Sequence, residues 1–228
     1  MIRAESNSGV RRLLDEPVEI AVVDYGMGNR RSVEKAFEHI GASVVVTSDP
    51  ERLRAVAGLV VPGVGAFPRG MANLRALGLD KLLRERLELG TPVLGICLGM
   101  QLAFDRSIEQ NGALGLGVIA GEVNLLAHGT QKLPHIGWND VNFTRSSPLL
   151  EGLGDRCAFY HVHSFAPVAA VREDILGTAV YGAPFVSMVE HENFYGVQFH
   201  PEKSSVAGLR LLANFAGICA RAVVPLGP

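Results

Sequence analysis

Apolar and polar positions follow two different rhythms along the first half of the chain. Solid runs of aliphatic residues predict strands, and segments with an apolar residue at every third or fourth position predict helices. Because the two kinds of segment alternate, the pattern indicates βαβ units and a parallel sheet. The predicted strands cover residues 18–24, 43–47, 57–61 and 92–96, and the predicted helices cover residues 32–40, 71–77, 79–89 and 98–104.

The second half of the chain has a different pattern. Its apolar runs are short, often alternate with polar residues and are separated by Gly or Pro, which is typical of hairpins. We expect these hairpins to extend one edge of the sheet and a helix over residues 205–220 to follow them. The predicted fold is therefore α/β: a flavodoxin-like open, mostly parallel sheet flanked by helices, with antiparallel hairpin additions at one edge in the second half. The short runs cover residues 135–143, 156–165, 176–181, 185–190 and 194–200.

Composition then limits the class of protein. The chain has 228 residues, of which 48% are hydrophobic and 19% charged, so we expect one folded domain over residues 18–228. No apolar run approaches the roughly 20 residues of a membrane-spanning helix. The 21 basic and 23 acidic side chains give a formal charge of −2, so we expect neither a nucleic-acid nor a membrane partner. Residues 1–17 have no apolar core segment and predict a disordered extension or a start codon placed too early.

The three cysteines, Cys97, Cys157 and Cys219, form no C-x-x-C pair. Their odd number argues against a disulfide framework and predicts a reducing, cytoplasmic setting. No special sequence pattern surrounds Cys157 or Cys219, and we expect both to be structural.

Cys97 lies in the segment that says most about chemistry. Residues 91–101 (TPVLGICLGMQ) predict a strand, a sharp turn at the cysteine and a helix, with Gly95 and Gly99 on either side. This G-x-C-x-G pattern is typical of a nucleophile elbow, whose strained turn lifts the side chain clear of the sheet. The N-terminus of the helix favours the thiolate, and the N–H of Leu98 would point at an oxyanion formed by attack. The alternative is an inert buried thiol, the commoner state of an isolated free cysteine.

A thiolate needs a group that carries its proton, and position selects one of the seven histidines. Residues 195–202 (YGVQFHPE) predict a strand that ends at His200, and Glu202 follows where its carboxylate can turn back to hold one ring nitrogen. The C-terminal ends of strands form the active edge of an open parallel sheet, so we expect Cys97 and His200 to meet there. The alternative is a strand-terminal histidine beside a solvated carboxylate.

Two further segments have weaker signals. Residues 60–67 (VVPGVGAF) predict a strand and a glycine-bracketed loop, which can flip a peptide to aim an N–H at a pocket or can be a plain turn. The loop lacks the third glycine of a dinucleotide-binding fingerprint. His161 and His163 would face the same side of a strand, as metal ligands do, but no third ligand has suitable spacing. A core-facing or substrate-facing role is favoured for His163.

Taken together, the motifs resemble those of the class I glutamine amidotransferases. The segments GICLGMQ (95–101), PGVG (62–65) and HPE (200–202) carry this resemblance. Within that superfamily the chain resembles the glutaminase subunits of imidazole glycerol phosphate synthases, over residues 18 to about 217. The segments that carry this second resemblance are DYGMGN (24–29), LPHIGWN (133–139), YHVHS (160–164) and QFHPEKS (198–204).

The resemblance implies an enzyme that hydrolyses L-glutamine to glutamate and ammonia. Cys97 would attack the side-chain amide, His200 would move the proton and Glu202 would orient the imidazole. Water would then hydrolyse the glutamyl thioester, and we expect no cofactor and no metal. The backbone N–H groups of Val64 and Leu98 match the oxyanion donors of the family, and Gly65, Gln101, Ser164 and Phe165 match positions that hold the substrate.

The resemblance also implies a partner, a separate (βα)8-barrel synthase subunit bound as a heterodimer. That subunit would use the ammonia to form imidazole glycerol phosphate and an aminoimidazole carboxamide ribotide in histidine biosynthesis. A docked partner keeps ammonia neutral and local, and this chain has no P-loop pattern or clustered Arg residues for a phosphosugar. Trp138 is a candidate anchor, with an ordinary core tryptophan as the alternative. The residues expected at the interface are Asn29, Arg31, His135, Trp138 and Asn139.

Two alternatives remain open. The first is a glutaminase of another amidotransferase type, serving pyridoxal phosphate, anthranilate or GMP synthesis. Residues 63–65 (GVG) and Met100 disfavour it, since those types usually read Gly-Gly-Glu-Ser at the first site or His at the second. The second alternative is a non-catalytic flavodoxin-like binding module that retains the elbow for its shape.

Overall fold

The computed structural model describes residues 18–223, and the segment 1–17, predicted to be a disordered extension, lies outside the described residues. The strands are β1 (Glu19–Val23), β2 (Ser43–Thr47), β3 (Gly58–Gly63), β4 (Val93–Cys97), β5 (Phe104–Ser107), β6 (Ala113–Leu114), β7 (Ile119–Leu125), β8 (His135–Phe143), β9 (Arg156–His163), β10 (Phe165–Ala169), β11 (Ile175–Tyr181), β12 (Ala183–His191) and β13 (Phe194–Val197). The α-helices are α1 (Arg30–His39), α2 (Pro50–Ala55), α3 (Phe67–Ala76), α4 (Leu79–Glu88), α5 (Leu98–Gln101) and α6 (Ser205–Val223).

Nine of the strands form one large sheet, in the order β2-β1-β3-β4-β13-β12-β11-β8-β9. The strands from β2 to β13 are parallel, and those from β12 to β9 are antiparallel additions at one edge, so the predicted fold class is confirmed. One expectation about this sheet is wrong. Residues 194–200 do not form an edge hairpin, because β13 ends at Val197 and lies between β4 and β12 at the centre of the sheet.

Helices cover both faces of the parallel half of the sheet. Every position of β3 and β4 is buried. On one face Phe37 of α1 packs against Phe215 of α6, and on the other Met71 of α3 and Leu82 of α4 belong to a second apolar cluster. Burial on both faces explains the solid apolar runs in the sequence and the mean hydropathy of +0.22. Despite this apolar interior, no helix within residues 18–223 is long and apolar enough to cross a membrane.

The sequence pattern did not predict a second sheet, which has the strand order β10-β7-β5-β6. Two predicted elements are shortened by it. The helix expected over residues 98–104 ends at Gln101, and the run 156–165 divides at Ser164, where the chain leaves the large sheet. Neither boundary is visible locally, because the buried Phe104 continues the apolar spacing of α5 and only one residue separates β9 from β10.

Helix α2 was also not predicted, although its N-terminus has a recognisable signal. The side chain of Asp49 accepts a hydrogen bond from the backbone N–H of Glu51, and Pro50 occupies the first helical position. Six residues are too few to show a helical period, so the capping pattern alone was available.

Candidate active site

The turn between β4 and α5 holds Cys97 in a backbone conformation that L-residues rarely adopt. Its φ is +54° and its ψ is −109°, and strain of this kind persists mainly at functional positions. Both flanking glycines are sterically required. A Cβ on Gly99 would overlap the carbonyl oxygen of Val61, and a Cβ on Gly95 would lie 2.7 Å from the backbone of Gly99. The close approach of β3, β4 and α5 therefore fixes where the sulfur lies.

His200 and Glu202 form a buried pair just after β13. The Nδ1 atom of His200 lies 2.9 Å from Oε1 of Glu202, and the two side chains are 1% and 0% exposed. Because a carboxylate only accepts hydrogen bonds, the proton on this side belongs to Nδ1. Asn29 donates a second hydrogen bond of 2.7 Å to the same oxygen. The other ring nitrogen, Nε2, is buried and has no hydrogen-bond partner among the described residues, so it is free to exchange a proton.

Cys97 is one of the groups that set the pKa of His200. Burial lowers this pKa, but the neighbouring Cys97 sulfur and Glu202 carboxylate raise it by more, to about 9. The imidazole is therefore protonated at neutral pH, with a carboxylate on one side and a sulfur on the other. A protonated ring in this position is the form that gives a proton to a leaving amine.

A cavity of about 270 Å³ borders the Cys97 sulfur. It is smaller than the ~300–1,000 Å³ of drug-sized ligand sites, which suits a ligand the size of an amino acid. The positions predicted for the oxyanion donors and for substrate binding all line this cavity. Its lining residues are Val64, Gly65, Cys97, Leu98, Gln101, Glu109, Val162, His163, Ser164 and Phe165.

Glu109 is a lining residue that no sequence motif indicated. It supplies the only carboxylate among these ten residues. Its Oε2 atom accepts a hydrogen bond of 2.7 Å from the backbone N–H of Phe67, which ties it to the start of α3. Glu109 follows β5 of the second sheet. Because that sheet was not predicted, the position of this carboxylate could not be anticipated either.

Gln101 and His163 donate to the same backbone oxygen in the wall of the cavity. Nε2 of Gln101 lies 3.0 Å and Nδ1 of His163 lies 2.9 Å from the carbonyl oxygen of Phe165. Since a carbonyl only accepts, the proton of His163 is on Nδ1, and its Nε2 accepts from Nδ1 of His135 at 3.1 Å. Burial lowers the pKa of His163 to about 3, so the ring is neutral near pH 7. His163 therefore faces the cavity as part of a neutral frame.

His161 lies on the same strand, but the core satisfies both of its ring nitrogens. Nδ1 donates to the carbonyl oxygen of Phe159 at 3.1 Å, and Nε2 lies 2.9 Å from the hydroxyl of Ser187. Burial lowers its pKa to about 2. In the part of the chain that the structure describes, no group of three or more His, Cys, Asp or Glu side chains is arranged to hold a metal ion.

Cys157 and Cys219 lie away from the cavity, on β9 and α6. All three cysteines are free thiols. Burial raises the pKa of Cys157 and of Cys219, so their thiolates are disfavoured. Neither lies at a strained turn.

The five residues expected at a partner interface divide into two groups. Trp138 is 55% exposed and Arg31 is also exposed, so both side chains are available at the surface, and the alternative of a core tryptophan is excluded. The other three side chains face the protein. His135 is buried, Asn139 donates to a backbone carbonyl of β11, and Asn29 supports the buried histidine–glutamate pair.

The arrangement of strands and elbow has known counterparts. The family model described as "Glutamine amidotransferase class-I" matches residues 21–218. A solved structure of a putative GMP synthase subunit from Thermoplasma acidophilum has the same fold, with a TM-score of 0.71 and 22% identity, over 91% of this chain and 96% of that one. The chain belongs to the class I glutamine amidotransferase family.

Relatives of higher sequence identity identify a narrower group within this family. The chain is 48% identical over 196 residues to the imidazole glycerol phosphate synthase subunit HisH of Moorella thermoacetica, covering 86% of this chain and 93% of that protein. It is 49% identical over 195 residues to the HisH subunit of Aquifex aeolicus, covering 85% of this chain and 94% of that protein. Within the class I amidotransferases the chain therefore belongs with the HisH subunits.

We expect Gly99→Ala to lower the free energy of unfolding by about 3 kcal/mol or more, because its Cβ would overlap the carbonyl oxygen of Val61. Urea denaturation measures this change. Gly217→Ala is the matched control, since its Cβ meets only a side-chain atom of Arg221 at 3.5 Å on α6. The control should raise the free energy of unfolding by up to about 1 kcal/mol, as an alanine does inside a helix. Equal effects of the two changes would contradict the packing account.

Removing the carboxylate charge should lower the pKa of His200. In Glu202→Gln we expect the titration midpoint of this ring to fall from about 9 toward its ordinary value of 6.5, because one of the charges that favour the imidazolium is lost. Nuclear magnetic resonance of labelled imidazole rings measures the midpoint. Glu122→Gln is the control, because Glu122 pairs with Arg106 within the second sheet, and it should leave the midpoint of His200 unmoved. An unmoved midpoint in Glu202→Gln would show that the carboxylate does not control the ring.

Proposed function

We propose that Cys97, His200 and Glu202 are the catalytic triad of a glutaminase, the ammonia-producing subunit of an imidazole glycerol phosphate synthase in histidine biosynthesis. The observation that carries this proposal is the buried His200, which is held by Glu202 on one nitrogen and has its pKa raised by the Cys97 sulfur beside it. The 45–49% identity to several HisH subunits supports the same assignment.

The chemistry follows from these positions. The Cys97 sulfur attacks the side-chain carbonyl carbon of glutamine, and the negative charge on the oxygen is stabilised by the N–H groups of Leu98 and Val64, both of which line the cavity. The imidazolium of His200 gives its proton to the amide nitrogen, the C–N bond breaks and ammonia leaves. Water then gives a proton to His200 and attacks the thioester, which releases glutamate and frees the sulfur.

The cavity also suits the other end of a glutamine molecule. Glu109, the one carboxylate in its lining, is complementary to an α-ammonium group. Both N–H groups of Gln101 are used within the protein, on Phe165 and Gln198, so its oxygen is the atom left for a substrate N–H. Gly65, Ser164 and Phe165 complete the wall. A bound glutamine would therefore be recognised at its charged head and at its amide.

We infer that the ammonia passes to a synthase subunit with a (βα)8-barrel fold, in a heterodimer. The relatives are named as subunits of a synthase, which supports a partner. Trp138 is the large aromatic side chain exposed on β8, and it packs edge-to-face on Tyr160 of the adjacent strand β9, which holds it in place as an anchor. Three free thiols are consistent with a cytoplasmic enzyme.

Replacing the nucleophile should abolish the release of ammonia from glutamine without affecting the synthase reaction that uses ammonia. In Cys97→Ala, assayed with the synthase subunit, we expect glutamine-dependent synthesis to fall by about 10⁴-fold or more, because no thioester can form. Synthesis from added ammonium should persist. Cys157→Ala is the control and should retain both activities, since that thiol is outside the cavity.

A glutamine-like electrophile provides a second readout for this assignment. It should label Cys97 and spare Cys157 and Cys219 in mass spectra of the digested protein. Retained glutamine use in Cys97→Ala, or equal labelling of all three thiols, would refute the proposed nucleophile and favour a non-catalytic binding module.

Trp138→Ala should weaken binding of the synthase subunit by about 30-fold, which corresponds to about 2 kcal/mol for a central aromatic anchor. Titration calorimetry measures the affinity. Leu89→Ala is the matched control, because Leu89 is 69% exposed but precedes the N-terminal end of β4, opposite the cavity. The same affinity in both variants would show that Trp138 is not part of the interface.

A further inference from the structure

Gln198 is a fully buried side chain that contacts the sulfur of Cys97 but is not part of the proposed triad. It follows β13, two residues before His200, and is 0% exposed. Its Nε2 atom lies 3.7 Å from Sγ of Cys97, within the range of an N–H to sulfur hydrogen bond. Its Oε1 atom lies 3.0 Å from Nε2 of Gln101. A polar group at this depth needs a partner at each end, and the sulfur is one of them.

The surroundings fix which end of this amide faces the sulfur. The carbonyl oxygen of Phe165 can only accept, so Gln101 must present its Nε2 there, 3.0 Å away. The second N–H of that same Nε2 points to Gln198, which must therefore present its oxygen to Gln101. Consequently the amide nitrogen of Gln198 faces the sulfur. A flipped amide would lose the hydrogen bond to Gln101 and set an oxygen against Sγ.

The sulfur therefore lies between one acceptor and one donor. The carbonyl oxygen of Val162, 3.8 Å from Sγ, accepts a hydrogen bond from the thiol form of Cys97. Gln198 donates, and a donor favours a sulfur that carries negative charge. Unlike His200, whose proton moves during the proposed reaction, the amide of Gln198 neither gains nor loses a proton near neutral pH. Its hydrogen bond is present at every stage.

We propose that Gln198 is the fixed donor that stabilises the Cys97 sulfur as a leaving group when the glutamyl thioester is hydrolysed. In that step water adds to the thioester carbonyl and gives its proton to His200. The C–S bond then breaks, its electron pair goes to Sγ, and glutamate leaves. While Nε2 of His200 is engaged with the water proton, the N–H of Gln198 is already directed at the sulfur.

This role rests on the proposed glutaminase activity and makes a distinct prediction about its second half. Without the donor a smaller fraction of Cys97 is ionised, but its sulfur is a stronger nucleophile, so the attack that forms the thioester is only partly slowed. Expulsion of the sulfur has no such compensation, because a more basic sulfur is also a poorer leaving group. The thioester should therefore persist. A side chain that served only to fill space would slow both halves together.

The test uses Gln198→Met in the complex with the synthase subunit, with Gln131→Met, an exposed change, as the matched control. We expect kcat for glutamine to fall by about 10- to 100-fold, the effect of a hydrogen bond to a charged group. In acid-quenched samples the fraction of chains with a glutamyl group on Cys97 should rise well above that of wild type. Lost activity without this accumulation, or unchanged activity, would overturn the proposal.

A second readout needs no turnover of glutamine. The rate of Cys97 alkylation by iodoacetamide, followed against pH, should have its midpoint roughly one unit higher in Gln198→Met than in wild type and in Gln131→Met. Coincident profiles would overturn the role of Gln198. If the wild-type protein fails to hydrolyse glutamine in the complex, the proposed glutaminase function is refuted. The alkylation profile still decides whether Gln198 stabilises the sulfur.

Gln198→Glu keeps the shape of the side chain, so it tests the donor role even if the methionine variant does not fold. An ionised carboxylate cannot donate to the sulfur, whereas a protonated one can. We expect glutamine hydrolysis by this variant to recover relative to wild type as the pH falls. A constant ratio of the two activities across pH would contradict a donor role.

Discussion

The strained turn at Cys97 is the constraint on which the rest of the site depends. Strands β3 and β4 and helix α5 approach so closely that Gly95 and Gly99 have no room for a Cβ. This close approach holds the cysteine at a φ of +54° and sets the direction of its sulfur. Because β4 lies between β3 and β13, the same edge of the sheet also receives the loop with Val64 and the segment with His200. The order of three parallel strands thus brings the loop after β3, the turn at Cys97 and the segment with His200 to one edge of the sheet.

A second constraint is the burial of charge beside that turn. Glu202 is fully enclosed, and its Oε1 atom accepts from both His200 and Asn29. Two donors offset part of the desolvation cost of the carboxylate, which then holds the imidazole by Nδ1 and favours its charged form. Asn29 reaches this position because its backbone adopts a left-handed conformation, with φ of +80°, at the start of α1. The loop after β1 therefore contributes a hydrogen bond to the buried histidine–glutamate pair.

The parts of the structure that follow from local physics could be predicted from the sequence, and the parts that depend on distant contacts could not. Buried parallel strands give solid apolar runs, and the elbow needs glycines at fixed spacing, so the sheet, the turn at Cys97 and the pairing with His200 all have sequence signatures. Glu109 has none, and Gln198 lies in the segment QFHPEKS without any local signal that its side chain contacts the sulfur. Each acquires its place through partners far along the chain, with a separation of 42 positions between Glu109 and Phe67 and of 101 between Gln198 and Cys97. The extent of a single domain over residues 18–228 stays a prediction.

Two histidines of the site differ in their protonation near neutral pH. His200 has its pKa raised to about 9 and is charged near pH 7, whereas burial lowers the pKa of His163 to about 3 and keeps it neutral. From His163 the hydrogen bonds continue through the carbonyl of Phe165 to the amides of Gln101 and Gln198, and end at the sulfur. The carbonyl of Phe165, which cannot donate, sets the directions of His163 and Gln101, and the N–H of Gln101 in turn sets the direction of Gln198. Between pH 5 and 8 the two amides and His163 therefore keep the same protons, and a proton can move at His200 without reorienting the amide that contacts the sulfur.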